Sequence, residues 1–182
     1  MTVEQNMTVN GTPYRVLGLL GKGKGGYSYL VERDGQHYVL KQLHHEPCDY
    51  YTFGNKLEAE QADYQKLIKT GIRIPQMLDV DVKNERILKQ YIEGSTICQL
   101  VKQDEMQAAY LQQVRQMAAA VGAHGLNIDY FPTNFVVQQG LLYYIDYECN
   151  DYMDKWSFEN WGIRYWSKTP EFLAYIQNHP QK

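Results

Sequence analysis

The chain has 182 residues, a net charge of −3 and 44% hydrophobic content, enough for one compact domain or two small lobes sharing a cleft. That charge gives no electrostatic push toward nucleic acid, and no apolar run approaches the roughly 20 residues needed to span a bilayer. The first twelve residues, MTVEQNMTVNGT, lack the apolar centre of a signal peptide, so a cytoplasmic protein is the expectation.

Three cysteines, Cys48, Cys98 and Cys149, stand far apart without CxxC spacing, which points to reduced thiols rather than a disulfide framework or a zinc site. Residues 1–93 balance in charge, and the whole excess of −3 falls in residues 94–182. Such a split suits a cation-binding cleft.

The first half predicts short strands at Tyr14–Leu20, Tyr27–Glu32 and His37–Leu43, the last two joined by an Asp34-Gly35 turn. Residues 44–55 lack any period and read as a loop. Leu57, Tyr64, Leu67 and Ile68 recur at helical spacing and predict a helix over Lys56–Thr70, stopped by Gly71. Strands follow at Gln76–Val82 and Arg86–Ile92, and Glu93-Gly94 breaks the pattern. In the second half, Met106, Tyr110, Val114, Met117 and Val121 form the apolar stripe of a helix over Asp104–His124, with Asp104 as N-cap and Gly125 as stop. Phe135–Gln138 and Leu142–Ile145 predict a hairpin around Gln139-Gly140. An aromatic tail with Trp156, Phe158, Trp161, Tyr165 and Trp166 leads to a last helix near Pro170–Gln177. The expected plan is a five-stranded N-terminal lobe with one helix over residues 1–93, then a helix-led lobe over 94–182.

Gly21, Gly23 and Gly26, in GKGKGGYSYLV, satisfy the pattern GxGxxG. The loop opens into the β-prone run Tyr27–Val31 rather than a helix, which excludes a dinucleotide-binding turn. The Gly-Lys-Ser/Thr of a phosphate-binding P-loop is absent. A strand–glycine loop–strand remains, whose amides can approach a triphosphate because no Cβ intervenes; a flexible hairpin is the competing reading. A phosphate lid calls for a cation on the following strand, and Lys41 stands there in Tyr38-Val39-Leu40-Lys41. Glu58 and Glu60 on the next helix are its candidate partners. Asp129 and Asn134 lie five apart on a proline-stiffened loop, a spacing at which a carboxylate meets an acceptor hydroxyl while an amide oxygen reaches a metal. Asp146 ends an apolar strand, awkward for packing but natural for Mg²⁺. Each fragment alone has a structural explanation as a turn, a surface lysine or a strand-end cap; the ordered set is what carries weight.

That set resembles the protein-kinase-like superfamily over roughly residues 17–148. Gly21–Gly26 matches its glycine loop, Lys41 its strand lysine, Asn127–Asn134 its HRDxxxxN loop and Ile145–Glu148 its DFG segment. Glu58–Pro75 and Leu88–Gly94 are similar to the helix and hinge of the small RIO-type and KEOPS-complex kinases. The resemblance implies an α+β, bilobal protein-kinase-like fold with a strand-rich N-lobe, a truncated helical C-lobe and ATP in the cleft. It implies that Gly21, Lys22, Gly23, Lys24, Gly25 and Gly26 cover phosphates, with backbone amides carrying the contact. It selects Glu60 as the partner of Lys41, assigns adenine to the Gln90 carbonyl and Ile92 amide, makes Asp129 the catalytic base or hydroxyl orienter, and gives Mg²⁺ to Asn134 and Asp146.

Four departures shape the expectation. Asn127 replaces the usual histidine, and Phe131 stands where serine/threonine kinases carry a lysine. Tyr147-Glu148 replaces Phe-Gly, as in choline and aminoglycoside kinases. Little sequence follows Asp146 and it lacks Ala-Pro-Glu, so no conventional peptide platform is expected. The expected activity is therefore transfer of the ATP γ-phosphate to a hydroxyl, on a protein serine/threonine or on a small alcohol. A nucleotide-binding pseudokinase is the alternative, with the tail tryptophans as a partner surface or, the favoured reading, as core packing. Nucleic-acid binding through Lys22, Lys24 and the tyrosines is the least supported.

Overall fold

The computed structural model describes residues 5–23, 25–45 and 55–180; Lys24, Cys48 and most of the loop expected over 44–55 lie outside them. The chain divides into two compact units. The first takes the described residues of Met1–Ala62 and Pro75–Tyr91, the second those of Asp63–Ile74 and Ile92–Lys182. Among the described residues no helix is long and apolar enough to cross a membrane.

The first unit contains strands β1 (Asn6–Val9), β2 (Thr12–Lys22), β3 (Gly26–Arg33) and β4 (Gln36–Leu43), the start of helix α1 (Lys56–Thr70), then β5 (Met77–Asp81) and β6 (Arg86–Gln90). They form one antiparallel sheet in the order β1-β2-β3-β4-β6-β5. The sheet has six strands rather than the expected five. The extra strand is β1, joined to β2 at Asn10-Gly11, both at positive φ (48° and 82°), the backbone that a two-residue hairpin turn requires.

Strand alternation sorts the apolar residues of the sheet onto its two faces. Met7, Val9, Tyr14, Val31, Leu40 and Leu88 make one buried cluster; Leu43, Ile87 and Leu57 of α1 make another. Lys41 is two residues from Leu43 and lies opposite Ile87 in the β4–β6 register, so it belongs to the face that α1 covers.

The second unit holds the rest of α1, β7 (Ser95–Thr96), α2 (Ile97–Lys102), α3 (Ala108–Gly122), β8 (Leu126–Ile128), β9 (Phe135–Gln138), β10 (Leu141–Tyr144), β11 (Cys149–Asp151) and α4 (Pro170–Asn178). Two small antiparallel sheets run β10-β9-β7 and β11-β8. The helix expected over Asp104–His124 is α3, which starts later, at Ala108, and a short helix, α2, precedes it. α2 opens on a capping box in which Thr96 Oγ1 accepts from the Gln99 amide and Gln99 returns a bond to the Thr96 amide. Asp104 does not cap α3: its φ is +58°, its amide bonds the Val101 carbonyl at the end of α2, and its carboxylate pairs with Lys168 at 2.7 Å. Gln107 is the N-cap instead, with no side-chain capping bond. Four members of the expected stripe, Tyr110, Val114, Met117 and Val121, are buried in α3, while Met106 precedes the helix and is half-buried.

The core of this unit is aromatic. Tyr130, Phe135, Tyr144, Phe158, Trp166 and Phe172 are essentially inaccessible. Ring centroids lie 5.1 Å apart for Phe135–Trp166 and 5.4 Å for Phe158–Trp166, both edge-to-face, the arrangement that ring quadrupoles favour. The Trp166 indole donates to the buried Tyr130 carbonyl at 2.8 Å. The tail thus packs into the core through Phe158 and Trp166, while Trp156 stays exposed. Gly162 makes the fit possible: a Cβ there would lie 2.6 Å from Tyr130 Cβ.

Candidate functional site

In the strand-rich unit, Lys41 Nζ donates to Glu60 Oε1 at 2.7 Å, with side chains 17% and 11% exposed. Local geometry produces this pair. Leu57 is pinned in the cluster with Leu43 and Ile87, and Glu60, one turn further on, projects from the same stripe of α1. Glu58 sits off that stripe and is exposed, its amide bonded to Asn55 Oδ1 at the helix start. The two glutamates left open by the residues alone are thereby separated.

The glycine loop is a bulged hairpin. The β2–β3 register slips between Val16 and Gly18 and again between Leu19 and Gly21, bending and twisting the strand end. The Gly23 amide donates to the Gly26 carbonyl at 2.9 Å, closing the turn on itself. Gly21 and Gly25 face open space, but Gly26 serves the sheet: a Cβ there would come within 2.4 Å of the Gln42 carbonyl oxygen. Lys22 lies over the Tyr27 ring, 5.1 Å from its centroid. His44, at the end of β4, ties the loop down, its amide donating to Gly25 O at 3.1 Å and its Nε2 lying 3.1 Å from Gly23 O. His44 falls in the stretch expected to be loop and belongs to none of the sequence motifs. Gln90 ends β6, and its amide donates to the Gln76 carbonyl at 2.9 Å; Ile92 is buried.

In the second unit, Asp129 follows β8 directly and Glu148 immediately precedes β11, so the Cys149–Ile128 pairing of these strands brings the two segments side by side. Asn134 is held at the end of a 3-10 turn, Pro132–Asn134. Its carbonyl accepts the Ile145 amide at 2.9 Å, continuing the β9–β10 ladder beyond the Phe135–Tyr144 pair and setting Asp146 next to it. Backbone pairing thus places Asp129 alongside Glu148 and Asn134 alongside Ile145, the residue before Asp146. Asp129 Oδ1 accepts the Phe131 amide at 3.1 Å, and Asn134 Nδ2 reaches toward the Asp129 carbonyl at 3.4 Å. Asp146 Oδ1 accepts the Tyr147 amide at 2.7 Å, a charge-assisted bond that orients the carboxylate.

Tyr144 belongs to none of the sequence motifs, yet it joins the two segments. It is wholly buried; its hydroxyl accepts the Asp129 amide at 3.2 Å and donates to the Glu148 carbonyl at 2.7 Å. Burial, reinforced by the nearby Asp146, holds that hydroxyl well above the ordinary tyrosine range, so it stays protonated. Phe131 packs edge-on against Tyr175 at 4.6 Å and tilted against Tyr165 at 5.1 Å, putting an aromatic wall beside Asp129.

The donors fit a hard cation. A carboxylate and an amide oxygen suit Mg²⁺, which keeps waters and phosphate oxygens as its other ligands. Among the described residues no group of three or more His, Cys, Asp or Glu is disposed around one metal position.

No family model matches the chain. It is 28% identical over 91 residues to the KEOPS complex subunit Bud32 of Pyrococcus abyssi, a match covering 46% of this chain and 40% of that protein. The matched part is thus less than half of that relative's length. The likeness is distant and supports a relationship at the level of the protein-kinase-like superfamily. With it, the α+β architecture of a strand-rich unit and a helix-bearing unit is consistent with the bilobal fold of that superfamily.

Proposed function

We propose that the protein is an ATP-dependent phosphotransferase that passes the γ-phosphate to a hydroxyl acceptor in the manner of serine/threonine kinases. The observation that carries this reading is the shielded Lys41–Glu60 pair at 2.7 Å. A lysine set in a sheet and held by a helix glutamate supplies a fixed positive charge for the α and β phosphates. Asp129, its carboxylate oriented by the Phe131 amide, would accept or orient the acceptor hydroxyl. Asn134 and Asp146 would hold Mg²⁺, which supplies charge neutralisation to the phosphates when bound. Glycines 21, 23 and 25, with Lys22 and Lys24, would cover the nucleotide while Gly26 seats the loop against β4, and Gln90 and Ile92 would meet adenine through their backbone groups.

Phe131 favours a second reading of the acceptor. An aromatic residue packed against Tyr165 and Tyr175 stands where the superfamily's protein kinases carry a lysine, which suits a small alcohol as acceptor. The two readings share the same phosphate chemistry.

The test is a thermal shift with and without Mg-ATP beside a turnover assay on wild type and Asp129→Ala. Stabilisation with turnover lost in the variant supports the proposal. Stabilisation with equal silence across acceptors leaves a nucleotide-binding pseudokinase, and no shift at all removes both.

A further inference from the structure

We infer that Tyr144 is a positioning residue that ties the Asp129 loop to the Asp146–Glu148 segment through its hydroxyl, so that the two carboxylate-bearing segments hold one arrangement. The inference rests on the proposed phosphotransfer for its kinetic consequence, but not for its geometry.

The covalent connection between the two segments is long: from Asp129 the chain passes through the 3-10 turn, β9 and β10 before reaching Asp146. Noncovalent ties shorten that path. Backbone ties are the Ile145 amide on the Asn134 carbonyl and the β8–β11 pairing of Ile128 with Cys149. The side-chain tie is the Tyr144 hydroxyl, which accepts from the Asp129 amide at 3.2 Å and donates to the Glu148 carbonyl at 2.7 Å. A hydroxyl can do both at once because it carries one donor and two acceptor lone pairs. Its ring is fixed, fully buried and packed 5.2 Å from the Phe135 ring, so the oxygen has little freedom to follow either segment alone. Asp129 is also braced from its other side: the next residue, Tyr130, presents its carbonyl to Trp166. Moving the Asp129 backbone therefore means breaking a bond at the centre of the aromatic core.

A hydroxyl that holds two segments predicts that both loosen together when it is removed, and that a carboxylate misplaced by a fraction of an ångström costs rate rather than binding. Tyr144→Phe keeps the ring and deletes only the oxygen. Tyr143→Phe, on the adjacent residue of β10, is the control.

The experiment is amide hydrogen exchange resolved at residues 126–134 and 145–151, beside steady-state turnover of Mg-ATP by the full chain. In wild type the Asp129 amide exchanges slowly; in Tyr144→Phe both segments exchange at least about tenfold faster, while Trp166 fluorescence and Tyr143→Phe are unchanged. In the turnover arm, Tyr144→Phe lowers kcat about 10- to 100-fold with KM for ATP within about twofold of wild type. Fast exchange at Asp129 in wild type overturns the inference, and does so even if the variant fails to fold. Loosening of one segment without the other, or a KM effect without a kcat effect, also overturns it. Joint loosening in a wild-type background that turns over no ATP retains the tether and removes the phosphotransfer reading instead.

Discussion

The Lys41 ammonium meets the Glu60 carboxylate at 2.7 Å with both side chains largely shielded from water. A pair so placed holds its geometry because the strand and the helix behind it are locked by Leu43, Leu57 and Ile87. Lys41→Met is expected to lower turnover about 10²- to 10³-fold, the usual cost of removing a preorganised charge. Glu60→Gln, which keeps the shape and loses the charge, is expected to lower it about tenfold. The check is kcat and KM for Mg-ATP in both variants, with circular dichroism to show that the sheet is retained.

Much of this pair was legible in the sequence. Lys41 fell on the expected strand, and the expected helix coincides with α1 from Lys56 to Thr70. In the sequence, the family resemblance alone separates Glu60 from Glu58; the position of Glu60 one turn beyond the buried Leu57 is the physical reason the structure supplies. Other signals were present but passed over: Asn10-Gly11 announces the β1–β2 hairpin, and Thr96-x-x-Gln99 announces α2. Asp104 misled because an acidic residue before an apolar stripe looks like an N-cap, whereas here it finishes the preceding helix in a left-handed conformation. The roles of Tyr144 and Trp166 were not legible. Nothing in a chain with many tyrosines marks the one whose hydroxyl bridges two backbone groups from distant segments; that is a property of long-range packing.

The Trp166 indole on the Tyr130 carbonyl and the closeness of Gly162 to Tyr130 make the tail part of the fold of the Asp129 loop. Trp166→Phe keeps most of the apolar burial but strands a buried carbonyl, and is expected to cost about 1–3 kcal/mol. Gly162→Ala forces a methyl into Tyr130 and is expected to cost about 1–3 kcal/mol. Urea unfolding followed by far-UV circular dichroism measures both; unchanged midpoints would show that the tail is dispensable to the fold.

Asp81, buried at the end of β5, receives bonds from the Asn84 side chain at 2.9 Å, the Asn10 amide at 2.8 Å and the Asn84 amide at 3.0 Å. The Asn84 side chain first, then these amides, hold its carboxyl below the ordinary 3.8 against the opposing effect of burial. The unfolded chain therefore binds more protons than the native protein as pH falls toward and below 3.8, so this group's stabilisation is complete above that value and is lost as pH falls through the folded one. Asp81→Asn is expected to unfold at lower denaturant at neutral pH and to show a flatter fall in stability in acid. Parallel curves for variant and wild type from pH 7 to about 3 would contradict this.

Cys149 is buried beside Asp63, whose carbonyl lies 3.9 Å from its sulfur. Burial first, and Asp63 second, push its thiol up to about 12, so almost no thiolate exists at neutral pH. Cys149 and the buried Cys98 are expected to resist iodoacetamide in the native protein and to react on unfolding. Peptide-resolved mass spectrometry reads this directly; rapid native alkylation at Cys149 would show that the β8–β11 pairing opens readily.

The central claim is transfer of a phosphoryl group, and labelled γ-phosphate tests it most directly. Purified protein is incubated with Mg²⁺ and γ-labelled ATP, alone and with protein or small-alcohol acceptors, in wild type, Lys41→Met and Asp146→Asn forms. Label should pass to the protein itself or to an acceptor in wild type, fall about 10²-fold or more in each variant, and vanish when Mg²⁺ is chelated. Transfer of equal size in all three proteins, or none in any of them, would contradict the account.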